Sequence, residues 1–365
     1  MPFTFKQRLL DLLAIGRVSN LPTVWSNVLV GILAGYALHQ YSQAGLPPLE
    51  QIAYHLLALL GATGAYLFGT FLNDWKDVPF DREHRPERPI PAGRFRRRTI
   101  LLVALGFAIG SNLCFWCFSF RTFVVGLLLT ALIILYTWFH KRTPLAIVPM
   151  GLCRMLLYVI GFVTMAEGPL LMLITTRGGP WTQVFGQLFY EPLVRSGLEV
   201  IVMGLGLAAY VAGLTLVARY ESRPDGHRYP RAFLWFLLFI PLITHLWWTT
   251  LRLPLPPYDW SPAVIGILAA IPFVAWTIFA LRNLGNSIPV FVSRTLAGIC
   301  LLDLVAVAAI TTAHPGSLIG GPGPFFLTPP DYPFEVFIQQ PLLLALFPLA
   351  LFALALGLQK IAPAT

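Results

Sequence analysis

A block of charged residues interrupts an otherwise apolar sequence between residues 73 and 93. It reads NDWKDVPFDREHRPERPIPAG and contains five of the chain's 16 acidic residues. Asn73, Asp77 and Asp81 are spaced four apart, so on a helix their side chains lie along one face. Mg²⁺ typically takes one or two carboxylates in proteins and keeps positions for water and phosphate oxygens. The block therefore predicts a site for a metal ion and a phosphorylated ligand.

The alternative is a solvated loop in which opposite charges compensate each other. The regular spacing at the end of an apolar segment favours the site. Pro79 lies between Asp77 and Asp81, and proline disfavours the helical conformation at the residue before it. We therefore expect a kink at Pro79 and a non-helical Val78.

A second acidic pair follows a later apolar segment. Glu221 and Asp225 are again four apart, and two acidic sites can converge on one diphosphate through bridging metal ions. Nearby bases are candidates for the same phosphates: Arg219, Arg223 and Arg228. The alternative is an ordinary turn, which Pro224, Asp225 and Gly226 also predict.

Three further positions are candidates for ligand binding. Lys141 and Arg142 either bind a diphosphate or only orient the chain in a membrane. Arg154 lies within an apolar segment, where an arginine faces a polar cavity or a partner, and pairing with Asp303 would also explain it. Asn27 either faces a ligand or makes hydrogen bonds between helices.

The elements that must position these residues are membrane-spanning helices. The chain of 365 residues is 57% hydrophobic and 11% charged, and its mean hydropathy of +0.72 excludes a water-soluble domain of this size. An apolar helix of about twenty residues crosses the hydrocarbon core of a bilayer. We predict an all-α integral membrane protein of ten spans, with nine as the alternative, near 22–38, 52–72, 99–117, 121–139, 145–166, 199–217, 232–250, 262–281, 293–312 and 336–358.

The net charge of +9 is explained by topology rather than by nucleic acid. With a cytoplasmic amino terminus, most of the 25 Lys and Arg residues fall in cytoplasmic loops, as the positive-inside rule requires. The site loops are then cytoplasmic too, and we predict a multi-pass protein of a bacterial-type inner (plasma) membrane. Anionic lipid headgroups and anionic substrates are the partners that this basicity favours.

The chain divides into three regions. Residues 1–20 place Leu9 and Leu12 against Lys6 and Arg8, which predicts an amphipathic helix at the membrane interface. Residues 21–312 form the main bundle. Residues 313–365 comprise a loop on the opposite, extracytoplasmic side and an additional span.

The motifs resemble those of the UbiA superfamily of intramembrane prenyltransferases. The stretch from Asn73 to Asp81, followed by RPIPAG at residues 88–93, is similar to the first aspartate-rich motif of that superfamily. RVSNLPTVWSNVLVG, the segment from Tyr136 to Arg142 and the acidic segment after the sixth span correspond to further family elements, so the similarity covers most of residues 15–312. LVARYES and LAGICLLD are more similar to the EboC-like branch than to the quinone-pathway enzymes.

The resemblance implies an enzyme that transfers an isoprenyl group from an allylic diphosphate to a lipophilic, often aromatic acceptor. Its cofactor would be Mg²⁺, and no nucleic acid would take part. Carried over by position, the metal would be held by Asn73, Asp74, Asp77 and Asp81 and by Glu221 and Asp225. The diphosphate would be bound by Arg88, Lys141, Arg142, Arg154 and Arg223, and the acceptor by Asn27. Asp77, Asp81 and Lys141 would be catalytic.

Two features depart from the family pattern. The second motif begins with Glu221 where the family has aspartate, and Pro224 disturbs the helix there. A tenth span follows the usual nine. These departures keep a rival hypothesis open, in which the protein retains the fold but serves as a carrier or assembly partner for a lipid-linked metabolite.

Overall fold

The computed structural model describes residues 5–38, 48–167, 191–220, 231–251, 261–284, 287–313 and 341–362, and every regular element in these ranges is a helix. Two short 3₁₀ helices, Val18–Asn20 and Pro144–Ala146, precede α2 and α6. The α-helices are α1 (Phe5–Ile15), α2 (Leu21–Leu38), α3 (Pro48–His84), α4 (Arg97–Trp116), α5 (Phe120–Phe139), α6 (Ile147–Glu167), α7 (Glu191–Tyr220), α8 (Arg231–Leu251), α9 (Ser261–Leu281), α10 (Ile288–Ala313) and α11 (Pro341–Gln359).

Eight helices in the described ranges are long and apolar enough to cross a membrane. They are α2 to α7, α9 and α10, and they match eight of the ten predicted spans. The apolar parts of α8 and α11, Arg231–Trp247 and Leu344–Gln359, are shorter, so the predicted count of nine or ten is not confirmed. Large side chains such as Leu102, Ile109 and Leu268 are exposed on the outside of the bundle. An apolar outer surface of this kind suits contact with lipid.

The centre of the bundle is formed by tightly packed helices. α2 packs on α6, α6 packs on α7, and α10 contacts α2, α7, α8, α9 and α11. A Cβ atom at Gly31 would lie 2.1 Å from the carbonyl oxygen of Tyr158, and one at Gly161 would lie 2.1 Å from that of Val28. Only glycine permits this approach of α2 to α6. The two helices are therefore close enough for polar side chains on one to bond directly to the other.

The expectation of a non-helical Val78 was wrong, whereas the expected kink at Pro79 stays a prediction. α3 runs from Pro48 to His84 as one helix of 37 residues and continues through both Val78 and Pro79. Proline lacks the N–H that would bond to the carbonyl of Trp75, four residues earlier. The Nε of Arg97 donates to that oxygen at 3.2 Å instead. A side chain from α4 thus supplies a donor in place of the missing N–H, and α3 continues as a helix to His84.

The first predicted region contains a helix, α1. In α1, Phe5, Leu9 and Leu12 are exposed, whereas Asp11 is buried. The Oδ2 of Asp11 lies 2.9 Å from the Nε of Arg94. This ion pair joins α1 to the loop between α3 and α4, although the position of α1 on a membrane surface stays a prediction.

Several predictions fall outside the described residues. Glu221, Arg223, Asp225 and Arg228 all belong to residues 221–230, and the long loop predicted after residue 312 belongs to residues 314–340. The second acidic motif is therefore not tested by the geometry.

Candidate active site

The acidic residues of α3 lie near its carboxyl end, on the face that their spacing predicts. Asp74, Asp77 and Asp81 are 8%, 8% and 3% exposed. A buried carboxylate is costly unless charges or hydrogen-bond donors compensate it. The structure supplies positively charged groups to each of the three from other segments of the chain.

Asp77 is paired with the segment that follows α5. Its Oδ1 lies 2.6 Å from the Nζ of Lys141, and its Oδ2 lies 3.6 Å from the Nε2 of His140. The Nδ2 of Asn73, one turn earlier, donates to the same Oδ2 at 3.4 Å. The structure therefore brings Lys141 to Asn73 and Asp77, which the sequence singled out as part of a different segment.

Asp81 and Asp74 share Arg88 from the loop after α3. The Nη1 of Arg88 lies 3.0 Å from the Oδ2 of Asp81 and 3.8 Å from the Oδ1 of Asp74. The loop folds back through backbone hydrogen bonds from Ala92 to Arg88 and from Gly93 to Ile90. Gly93 has φ +75°, a conformation that glycine adopts without steric cost. The RPIPAG segment is thus a turn that returns Arg88 to the acidic face.

Arg17 is a site residue that the sequence reasoning missed, since it placed residues 1–20 in the interfacial helix and gave Arg17 no role in the site. Its Nη2 lies 3.4 Å from the Oδ1 of Asp74. Its φ and ψ are 43° and 48°, a left-handed conformation that costs a non-glycine residue roughly 1–3 kcal/mol. Burial has the largest single effect on the pKa of Arg17 and lowers it, but Asp74, Tyr66, Tyr136 and Asp77 together raise that pKa above its usual value. The available signal was its place in RVSN, within a segment that carried the family resemblance.

A cavity of about 120 Å³ extends from the acidic face into the bundle, enough for several water molecules or a short hydrocarbon. One part of its wall is polar and comprises Arg17, Tyr66, Thr70, Asn73, Tyr136, Thr137 and Arg154. The rest is largely apolar and comprises Val24, Ala62, Ala65, Gly69, Leu129, Ile133, Met150, Cys153 and Leu157. α2, α3, α5 and α6 thus enclose a mainly apolar space with polar groups in its wall.

The comparison with known families decides the classification. The model of the UbiA prenyltransferase family matches residues 28–284, which is more than half of the chain. The chain belongs to the UbiA prenyltransferase family. Together with the apolar helices, this membership makes it an integral membrane protein. The predicted EboC-like branch stays a prediction.

Curated relatives of this UbiA family member cover only part of it. A digeranylgeranylglyceryl phosphate synthase of Thermococcus gammatolerans is 38% identical over 94 residues, 26% of this chain and 32% of the relative. The enzyme of the same name from Pyrococcus furiosus is 33% identical over 119 residues, 32% of this chain and 40% of the relative. The chain therefore matches less than half the length of either relative.

A solved structure is similar over a longer range at lower identity. The UbiA homologue from Archaeoglobus fulgidus bound to DMAPP and Mg²⁺ covers 94% of this chain and 99% of its own, at 14% identity and a TM-score of 0.40.

The donor atoms in this UbiA family site fit a hard divalent cation. The buried Oδ1 of Asn73 accepts no hydrogen bond from any described residue. This oxygen belongs to an amide bonded to Asp77, and amide and carboxylate oxygens are the ligands that Mg²⁺ takes. The described residues contain no group of three His, Cys, Asp or Glu side chains at metal-binding distances. Lysine and arginine side chains contact the carboxylates of Asp77 and Asp81. The donor set therefore fits Mg²⁺.

Asn27 and Arg154 lie deeper, in a network of their own. The Nη1 of Arg154 donates to the Oγ1 of Thr23 at 3.0 Å and to the Oδ1 of Asn27 at 3.2 Å. The Nδ2 of Asn27 donates to the Oδ2 of Asp303 at 2.9 Å. Asn27 is fully buried and is not among the residues that line the cavity. This placement favours the interhelical hydrogen-bonding alternative for Asn27 over contact with an acceptor. Asn27 links Arg154 to Asp303, and no direct ion pair joins those two.

Two arginines that were predicted to contact the diphosphate, Arg142 after α5 and Arg219 at the end of α7, differ in their environment. Arg142 is exposed, and its side chain makes no ion pair or hydrogen bond with the described residues. Arg219, at the end of α7, donates to the carbonyl oxygen of His140 at 2.9 Å and also to that of Thr143. Arg219 therefore holds the segment that carries Lys141, and its guanidinium contacts backbone oxygens of this chain.

Replacing Arg219 is expected to impair the site indirectly. Arg219→Met removes the two bonds that hold the Lys141 segment, and a small displacement of a charged group lowers rates steeply. We expect the kcat/KM of the reaction proposed below to fall by about tenfold. Steady-state kinetics of the purified variant measure this kcat/KM. The control is Arg282→Met, because Arg282 is an exposed arginine that follows α9. Equal rates in both variants would show that Arg219 does not position Lys141.

Proposed function

We propose that the protein transfers an isoprenyl group from an allylic diphosphate to a lipophilic acceptor in a Mg²⁺-dependent reaction. The observation that carries this proposal is the position of the Asp77–Lys141 and Asp81–Arg88 pairs. The two aspartates lie on the same face of α3 as Asn73. Asn73 lines the mainly apolar cavity. A metal diphosphate matches the charged groups, and a hydrocarbon chain matches the apolar walls. Membership of the UbiA prenyltransferase family supports the same reaction.

In this proposal Asn73, Asp77 and Asp81 hold Mg²⁺, with Asp74 beside them. A bound magnesium ion would neutralise charge on the diphosphate and make it a better leaving group. Lys141 and Arg88 bind phosphate oxygens, because both lie within 3.0 Å of the carboxylates that would hold the metal. The remaining residues predicted to bind the diphosphate are Arg142, Arg154 and Arg223. The second metal site is predicted to consist of Glu221 and Asp225.

The residues of the site favour cleavage of one bond in the prenyl diphosphate. The bond between the first prenyl carbon and the bridging oxygen breaks, and its electron pair leaves with the diphosphate. Lys141 and Arg88 hold the departing group, because their charges are fixed near the acidic face before the reaction begins. The acceptor carbon or oxygen donates an electron pair to the allylic cation and loses a proton to the departing diphosphate. The apolar walls exclude water, which would otherwise capture the cation.

The class of acceptor is the finer part of the proposal. The family resemblance predicts an aromatic ring with electron-donating groups. The matched relatives from Thermococcus gammatolerans and Pyrococcus furiosus are named for a digeranylgeranylglyceryl phosphate, so a glyceryl phosphate lipid is the second candidate. Both classes are lipophilic and suit entry from the bilayer.

The topology belongs to the proposal as well. We place the amino terminus and the site loops in the cytoplasm, with nine or ten spans in a bacterial-type inner membrane. Residues 1–20 form the interfacial helix, 21–312 the prenyltransferase bundle, and 313–365 an outer loop and a further span. The clustering of arginines in the loop after α3, at the same end as the acidic face, supports this orientation: Arg85, Arg88, Arg94 and Arg96.

The test is a turnover assay with purified protein in lipid nanodiscs. Labelled allylic diphosphates of several chain lengths are combined with a phenolic, a quinoid and a glyceryl phosphate acceptor, with and without Mg²⁺. We expect release of diphosphate that requires both an acceptor and Mg²⁺ and that stops when EDTA is added. Absence of turnover with every donor would contradict the enzyme and favour a carrier or assembly partner.

A further inference from the structure

A buried polar network lies in the centre of the bundle, next to the cavity. Its acidic member, Asp303 on α10, is 0% exposed and lies beyond residue 284, where the match to the family ends. The other members are Asn27 on α2, Arg154 and Tyr158 on α6, and His245 on α8. Ionisable groups within apolar spans are costly and mark functional positions. The reaction proposed above leaves Asp303 without a role.

The carboxylate of Asp303 determines the direction of the hydrogen bonds around it. An ionised carboxylate only accepts hydrogen bonds. The Nδ2 of Asn27 donates to Oδ1 and Oδ2 of Asp303 at 3.2 Å and 2.9 Å, and the hydroxyl of Tyr158 donates to Oδ1 at 2.6 Å. The amide of Asn27 therefore presents its Oδ1 in the other direction, where it accepts the 3.2 Å bond from the Nη1 of Arg154.

Arg154 is held by only one of its nitrogens. Nη1 is bonded to Thr23 and Asn27, while Nε and Nη2 make no hydrogen bond with the described residues. Arg154 also lines the cavity, together with Asn73 of the acidic face. One side of the guanidinium is thus attached to α2, and the remaining donors are available to a ligand in the cavity.

We propose that Asp303 is a positioning residue that acts through Asn27 to hold Arg154 in the cavity wall, where its guanidinium binds the diphosphate of the donor. This inference rests on the proposed prenyl transfer. Asp303 supplies the negative charge that balances Arg154 within the apolar bundle, and it does so two hydrogen bonds away. The intervening amide transmits the orientation, because a carboxylate at position 303 permits only one arrangement of the Asn27 side chain.

The first arm of the test is Asp303→Asn. The substituted amide carries an N–H₂ group that competes with the Nδ2 of Asn27, so the Asn27 amide is free to invert and turn a donor towards Arg154. We expect the KM for the prenyl diphosphate to rise about tenfold, because loss of one charge-assisted link weakens binding by that order. The kcat is expected to change less than about threefold, as for an interaction used in binding.

The second arm is the exchange Asn27→Asp/Asp303→Asn. It keeps one carboxylate and one amide but moves the carboxylate to position 27, where its oxygen would accept directly from the Nη1 of Arg154. The amide at position 303 can then donate to position 27 and still accept from Tyr158. We expect the KM for the prenyl diphosphate to return to within about threefold of the original. A purely structural role of Asp303 predicts no such rescue.

The third arm needs no turnover. Thermal unfolding of Asp303→Asn, Arg154→Met and the double variant should be non-additive, with the double variant more stable than the sum predicts, because it leaves neither charge unbalanced. Tyr210→Phe is the matched control, since it removes a buried hydrogen bond to the carbonyl oxygen of Thr295 on α10. Tyr210→Phe combined with Arg154→Met should be additive, and Tyr210→Phe alone should leave the KM unchanged.

The outcomes separate the two proposals. An additive cycle between Arg154 and Asp303 overturns the link, and an unchanged KM in an active Asp303→Asn overturns the positioning role alone. If the unsubstituted protein turns over no donor, the proposed prenyl transfer fails first, and the positioning role fails with it.

Discussion

Asp77→Asn is expected to abolish measurable release of diphosphate, with kcat/KM falling at least about 10³-fold. Asp77 is the carboxylate that contacts both Asn73 and Lys141, so it joins the proposed metal site to the proposed phosphate site. The substitution keeps the shape of the side chain but removes a negative charge. The affinity for Mg²⁺ then falls, and Lys141 loses the negatively charged partner that lies 2.6 Å from its Nζ.

The matched control for this prediction is Glu83→Gln. Glu83 lies on the same helix, and its side chain is 78% exposed, so its loss removes an equal charge outside the buried site. We expect Glu83→Gln to retain nearly full turnover. Both variants are compared at several Mg²⁺ concentrations, with thermal unfolding to verify the fold. Unchanged diphosphate release in a folded Asp77→Asn would rule out the proposed metal role of Asp77.

Lys141→Gln is expected to lower kcat/KM for the prenyl diphosphate by about 10²-fold. The Nζ of Lys141 lies 2.6 Å from Asp77 and 3.9 Å from the centre of the Phe80 ring. These two contacts fix an ammonium group beside the carboxylate that would hold the metal. A fixed positive charge stabilises the departing diphosphate more in the transition state than in the bound donor, so kcat should fall as well.

The control for Lys141 is Lys76→Gln. Lys76 is adjacent to Asp77 in the sequence, but its Nζ lies 4.7 Å from the centre of the Trp138 ring rather than against a carboxylate. Its removal should change kcat/KM less than about twofold. Lys141→Arg is expected to restore part of the activity, because arginine keeps the charge but not the compact ammonium geometry. Equal kinetics in Lys141→Gln and Lys76→Gln would show that proximity to Asp77 has no catalytic consequence.

The sequence located the first half of the site because the relevant signal is local. Asn73, Asp77 and Asp81 are four residues apart, and a helix places such residues on one face whatever surrounds it. The same local reasoning failed at Val78, which is helical although Pro79 follows it and leaves the carbonyl oxygen of Trp75 without its usual N–H donor. Arg97, on another helix, donates to that oxygen. A propensity computed along the chain cannot include a donor that arrives from a different segment.

The sequence alone determined an all-α bundle of apolar helices, eight of its spans and the acidic face of α3, because length, hydropathy and spacing follow from neighbouring residues. Only the tertiary structure decided which cation serves each carboxylate: Arg17 for Asp74, Lys141 for Asp77 and Arg88 for Asp81. It also decided that Asn27 joins Arg154 to Asp303, although Asn27 and Asp303 are 276 residues apart in the chain. Contacts at such separations depend on how closely the helices pack, and the approach of α2 to α6 at Gly31 and Gly161 is a property of the folded chain.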